Sequence, residues 1–99
     1  MDRKKEIELL IQKSFILHDG FFYTQHARMR MIERHITLLD VEEAYLNGQI
    51  SKIESDNNEE IKVFWDGKDR DGEMIRIVMA YLKEVKTLVI TVIGDIHGN

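Results

Sequence analysis

Apolar and polar positions follow two different periods along this chain, and the change falls near Gly48. In DRKKEIELLIQKSFIL the apolar residues Ile7, Leu10, Ile11, Phe15 and Leu17 roughly keep helical spacing, which predicts an amphipathic helix over 2–17. His18-Asp19-Gly20 ends it, and Phe21-Phe22-Tyr23 reads as a short extended piece. Thr24 has the form of an N-cap, its hydroxyl placed to accept from the free amides of the helix QHARMRMIER. Thr37, with Asp40 three residues on, resembles a capping box. The helix it opens runs to about Asn47, where Gly48 is expected to terminate it in a left-handed conformation.

Beyond Gly48 the period shortens towards two, predicting strands near 49–54, 61–65, 74–82 and 87–93. The turns between them are Asp56-Asn57-Asn58, the stretch from Asp66-Gly67 to Asp71-Gly72, and Lys83-Glu84. Connections this short require antiparallel neighbours, because a parallel crossover needs about a dozen residues. The expected fold is therefore α+β: two to three N-terminal helices followed by a four-stranded antiparallel sheet.

Composition sharpens this picture. Ninety-nine residues suit one domain. Within it 1–20 form an additional N-terminal helix, 21–93 the core and 94–99 a flexible tail. A 43% hydrophobic, 32% charged chain is neither disordered nor membrane-like in composition. The absence of cysteine excludes disulfides and thiolate metal sites. With no bilayer-length apolar run and no signal-peptide pattern, this fits a cytoplasmic protein. The net charge of -4 argues against simple non-specific nucleic-acid binding. Its distribution is uneven: residues 1–36 hold seven Lys/Arg against five Asp/Glu, and 37–73 hold four against eleven. A local anion site in the N-terminal half is thus compatible with the acidic whole.

Two stretches suggest metals and are set aside. GDIHGN after the apolar run TLVITVI resembles the opening motif of calcineurin-like metallophosphoesterases, in which the Asp and His are metal ligands. Asp95 and His97 alone are too few for such a centre, and the ligands that should come from later loops do not follow within the sequence. DGKDRDG lacks the terminal bidentate Glu of a calcium loop and reads as a solvated hairpin. No metal and no cofactor are expected.

The stretch YTQHARMRMIERHI carries more chemistry. At about 100° per residue, His26, Arg30, Glu33 and Arg34 fall within one arc of a helix, bordered by Ala27 and Met31 on the side of the sheet. That places one imidazole, two guanidiniums and a carboxylate at the edge of the core, facing a cleft. Beside Arg28 and Arg30, at the positive end of the helix, the neutral imidazole of His26 is favoured, which suits a general base. The alternative is a solvated face on which Glu33 pairs with nearby arginines.

In EMIRIVMAYL, Arg76 alternates on the face of Met74, Val78 and Ala80 and needs either an anion or a partner. It could join the helix arginines around a phosphate, or pair with Glu33 or Asp66. Phe64, Trp65 and Tyr81 suit core or rim packing better than base stacking.

The string T-x-H-A, then R-M, then E-R-x-I over 24–36, the N-G at 47–48, the DG-bearing hairpin with M-I-R-I-V-M and the final T-L-V-I-T-V resemble a family of small bacterial proteins known as domain of unknown function 4258. The resemblance covers about 22–93. It implies the RelE/barnase-like ribonuclease fold group, which includes BrnT-type toxins, and hence a type II toxin-antitoxin toxin acting as a metal-independent endoribonuclease on RNA. It also implies a zinc-ribbon-type antitoxin as partner. The family's regular polar positions fall on His26, Arg30 and Arg34, and Arg76 stands where the family tends to have His or Arg. In that reading His26 takes the proton of the ribose 2′-OH, Arg30, Arg34 and Arg76 stabilise the transition state, and Arg28 adds to phosphate binding. Two positions depart from the pattern. His35 replaces the usual Gly, and Met29 and Ile32 replace polar residues, which suggests packing against the first helix. The alternative function is a non-catalytic protein-interaction module of the same fold, homodimeric through Met29, Ile32 and that helix.

Overall fold

The computed structural model describes residues 2–83, 86–94 and 96. Three helices, α1 (Arg3–His18), α2 (Gln25–Glu33) and α3 (Leu38–Asn47), lie on one face of a sheet. The sheet is built from β1 (Phe22–Tyr23), β2 (Gln49–Asp56), β3 (Glu60–Lys68), β4 (Met74–Leu82) and β5 (Lys86–Gly94). The class is α+β as expected, but the sheet has five strands, in the order β1-β5-β4-β3-β2, and is mixed rather than purely antiparallel. The extra strand is the short extended piece before Thr24, which pairs parallel with β5 through Phe22↔Leu88 and Tyr23↔Val89. Two residues carry almost no local strand signal, and their partner lies more than sixty residues away.

The caps expected at Thr24 and at Thr37 with Asp40 form, and α1 has a further one that was not expected from sequence. Asp2 opens α1 by accepting from the Lys5 amide, Thr24 accepts from the Ala27 amide, and Thr37 and Asp40 close both bonds of a capping box. Asp19 then ends α1 in the left-handed region, with φ 54°. Gly48 differs from expectation: its φ of -105° is extended, not left-handed. A glycine is needed there because an added Cβ would run into the carbonyls of Asp66 and Ala44. Gly67 is constrained in the same way. It lies inside β3 rather than in a turn, and a Cβ would strike the backbone of Ala44. These two glycines let α3 approach the sheet closely.

Side-chain alternation assigns the two sheet faces. Ile61, Val63 and Trp65 of β3, Ile75, Ile77, Met79 and Tyr81 of β4, and Val89 and Val92 of β5 join Ile7, Ile11, Ala27, Met31, Val41, Ala44 and Tyr45 in one core. Trp65 and Tyr81 are thus core residues, and the indole N–H of Trp65 donates to the Tyr45 carbonyl at 3.1 Å. Rings of Phe15, Phe21 and Tyr45 meet one another edge-on or tilted, and Tyr45 meets Trp65, at centroid distances of 4.8–5.0 Å, tying α1 and α3 to β3. On α1 the inward face includes Ser14, to which the Thr87 hydroxyl donates at 3.0 Å, whereas Leu17 is exposed. Met29 and Ile32 do not pack on the first helix; they are 53% and 75% exposed. The reason is rotational: once Ala27 and Met31 face β5, positions 29 and 32 point to water.

Gly94 belongs to β5, paired with Ile75, so the strand runs one residue into the expected tail. Asp95 and His97, and Glu84 of the last turn, lie outside the described residues. Among the described residues no helix is long and apolar enough to cross a membrane.

Candidate functional site

The α2 helix is bonded to β5 at its start and closed by its own backbone at its end. At its start Thr24 makes four bonds: its amide donates to the Val89 carbonyl at 3.1 Å, its hydroxyl donates to the Ile90 carbonyl at 3.0 Å, the same oxygen accepts from the Ala27 amide, and its carbonyl accepts from the Arg28 amide at 3.0 Å. One residue thereby fixes both the entry angle of the helix and its height above the strand. Ile90 is the extra residue of an irregularity in the β4–β5 register, where Val78 faces Thr91 but Met79 faces Val89. At the other end the helix closes in a Schellman motif. The Ile36 amide donates to the Met31 carbonyl at 2.8 Å and the His35 amide to Ile32 at 3.2 Å, with His35 in the left-handed region at φ 58°. Ile36 and Met31 are both buried, supplying the apolar contact of that motif. His35 thus adopts the conformation that a glycine takes more readily.

Between these anchors His26, Arg30 and Arg34 follow one another at helical spacing. His26 stands exposed in the first turn and makes no hydrogen bond or ion pair with other described residues. The half-exposed Arg30 donates to Glu33 at 3.0 Å, the ion pair of a solvated helix face. Arg34 is the C-cap and reaches a cleft of about 540 Å³, which it lines with Glu33, Ile36, Asp69, Glu73, Ile75 and Gly94. Of the stripe, then, Glu33 and Arg34 border a cleft, and that cleft is rich in carboxylates.

Two further residues lie elsewhere. Arg28 sits on the other flank of α2, its guanidinium 5.9 Å from the centre of the Tyr23 ring. Arg76 is not brought to the helix at all. Its neighbours in β4, Ile75 and Ile77, face the helices, so Arg76 projects from the opposite face of the sheet. There it donates to both carboxylate oxygens of Asp66, at 2.8 and 3.0 Å, and lies 4.9 Å from the Phe64 ring centre. Of its two alternatives, pairing with Asp66 is the one observed, and the hydrogen bonds to Asp66 raise its pKa further. Among the described residues no three His, Asp or Glu side chains gather closely enough to hold a metal.

Tyr23 was not singled out by sequence. Its hydroxyl is buried with no hydrogen-bond partner among the described residues. Burial pushes the phenol up to about 12, reinforced by Glu42 and opposed by Arg28. The signal that could have found it is its position: it directly precedes the cap and takes the inward place of a two-residue strand.

A family model described as domain of unknown function (DUF4258) matches residues 23–93. The match begins at Tyr23 and leaves α1 outside. No curated protein and no solved structure matches the chain. With well over half its length covered by that model, the chain belongs to the DUF4258 family.

Proposed function

We propose that the protein is a toxin-type, metal-independent endoribonuclease of the RelE/barnase-like fold group, with α2 as its catalytic element and an antitoxin as its partner. The observation that carries this is the placement of one imidazole and two guanidiniums, His26, Arg30 and Arg34, along a helix clamped to β5 by Thr24. His26 takes the proton from a ribose 2′-OH, whose oxygen forms a bond to the adjacent phosphorus. The P–O5′ bond breaks, and the departing oxygen takes a proton from solvent. Arg30 and Arg34 stabilise the charge on the phosphorane-like transition state, for which Arg30 must release Glu33. Arg76, on the other face, has no part in this step.

A second reading has its own observations. Arg30 and Arg76 already hold carboxylates, and the cleft at Arg34 contains Glu33, Asp69 and Glu73. Those carboxylates repel RNA and favour a non-catalytic interaction module. Cleavage of single-stranded and ribosome-bound RNA by the full chain decides between the two. Wild-type cleavage that resists a chelator and falls about 10²-fold in both His26→Ala and Arg30→Ala supports the nuclease. Absence of cleavage by the folded wild type gives the site to binding, and cleavage that survives His26→Ala overturns the role of His26 as the base.

A further inference from the structure

An antiparallel sheet with one free face usually alternates apolar-in and polar-out, whereas strands covered on both faces read as continuous apolar runs. β4 (MIRIVMAYL) and β5 (KTLVITVIG) are of the second kind. Among the described residues a cover is supplied for one face only, since α1, α2 and α3 share the core with Ile75, Ile77, Met79, Val89 and Val92.

Across the other face the strand register sets apolar side chains in rows. Phe22 neighbours Leu88, which neighbours Ala80; Phe64 neighbours Val78; and Ile93 follows beside Arg76. Val78 and Ala80 are 5% and 2% exposed yet stand outside the helix-facing core. The rim of this apolar centre is basic. Lys52, Lys62, Lys68, Arg76 and Lys86 outnumber Glu54, Glu60 and Asp66 there, in a chain whose net charge is -4. Lys52 is paired with Glu54 and Arg76 with Asp66. Among the described residues Lys62, Lys68 and Lys86 have no carboxylate partner, and Lys86 lies over the Phe22 ring at 4.8 Å.

We propose that this open sheet face is the docking surface for a segment of a partner protein with an apolar centre and acidic flanks. Charge complementarity selects that occupant. A second copy of the chain, packed face to face, would set like-charged rims against each other. Single-stranded nucleic acid would find the basic rim but an aliphatic centre, with the Phe64 ring already flanked by Arg76 and Lys52. The surface involves no residue of α2, so the proposal stands apart from the nuclease reading.

The test uses the full chain and a displayed library of random 16-residue peptides. The enriched sequences should combine apolar residues with Asp and Glu above their input frequency. Their binding, measured by fluorescence anisotropy, should weaken with added salt and fall at least about fivefold in the double variant Lys62→Glu, Lys86→Glu. Both lysines lie on the sheet surface, and an unchanged melting temperature confirms that the variant is folded. An enriched set without acidic bias, equal binding to wild type and variant, or no enrichment overturns the proposal. Tighter binding of an oligouridine probe with the same sensitivity assigns the face to nucleic acid. Self-association of the wild type that the double variant abolishes assigns it to a second copy.

Discussion

Replacing Tyr23 with Phe removes one oxygen from the junction between β1 and α2. That oxygen is buried without a partner among the described residues. A buried hydroxyl lacking a hydrogen bond costs about 1–3 kcal/mol relative to water. Deleting it while keeping the ring should therefore stabilise the fold at pH 7 by about 1 kcal/mol. For a domain of 99 residues, unfolding entropy of roughly 0.2 kcal/mol/K converts this to a rise of about 5 °C in Tm. The ionisation gives a second, independent signature. The phenol lies at about 12 in the folded chain against an ordinary value of 10.0, because burial disfavours the phenolate and Glu42 adds to it. Since the folded value is the higher one, the contribution of the neutral phenol is complete below pH 10 and is lost as pH rises through about 12. A two-decade difference corresponds to about 2.7 kcal/mol, and partial exposure of the ring to solvent screens this to roughly 1–2 kcal/mol. Urea denaturation at pH 7 and in steps from pH 9 to 12 measures both effects. Wild-type stability should fall over the alkaline range, while Tyr23→Phe should lose that part of the slope. A Tyr23→Phe chain less stable than wild type by 1 kcal/mol at pH 7 would refute the reasoning, because it would mean that the hydroxyl is well bonded.

Gly67→Ala should be among the most damaging single changes, costing at least about 2–3 kcal/mol in denaturant melts, because the new methyl group meets the α3 backbone at Ala44. His35→Gly should act in the opposite direction, stabilising by about 0.5–1 kcal/mol in the same assay, because position 35 holds φ 58° and glycine relieves the left-handed penalty. Arg76→Ala should leave RNA cleavage within about threefold of wild type, whereas Arg34→Ala should lower it by about 10²-fold. A loss in Arg76→Ala with none in Arg34→Ala would mean that the reacting phosphate sits on the open sheet face rather than at α2.

What could be read from sequence was local. Thr24, and Thr37 with Asp40, announced two helix starts because a capping hydroxyl acts within three residues of itself. The strands from β2 to β5 were legible through alternation and turn residues, although β3 runs on through Asp66-Gly67 to Lys68. What depended on distant partners was not. Pairing of β1 with β5 rests on two residues and a long-range register, and the extended conformation of Gly48 reflects the carbonyl of Asp66 in another element. Met29 and Ile32 looked like contacts for the first helix, but the rotation that buries Ala27 and Met31 leaves them in water.

Arg76 shows the same division within one residue. Alternation correctly grouped it with Val78 and Ala80, because side-chain period is a property of the strand alone. Which side of the strand meets the helices is a property of the whole sheet, and the sequence could not decide it: both faces of MIRIVMAYL are apolar. The ambiguity that hid the place of Arg76 is also the feature that leaves the open face apolar. A strand that needed water on its outer side would have declared its orientation with polar residues at alternate positions. β4 carries only Arg76 there, and that guanidinium is held by Asp66 against Phe64 instead of reaching freely into solvent. The catalytic proposal and the docking proposal thus occupy opposite faces of one sheet. Loss of RNA cleavage on changing α2 and loss of peptide binding on changing Lys62 and Lys86 should therefore be separable in the same folded protein.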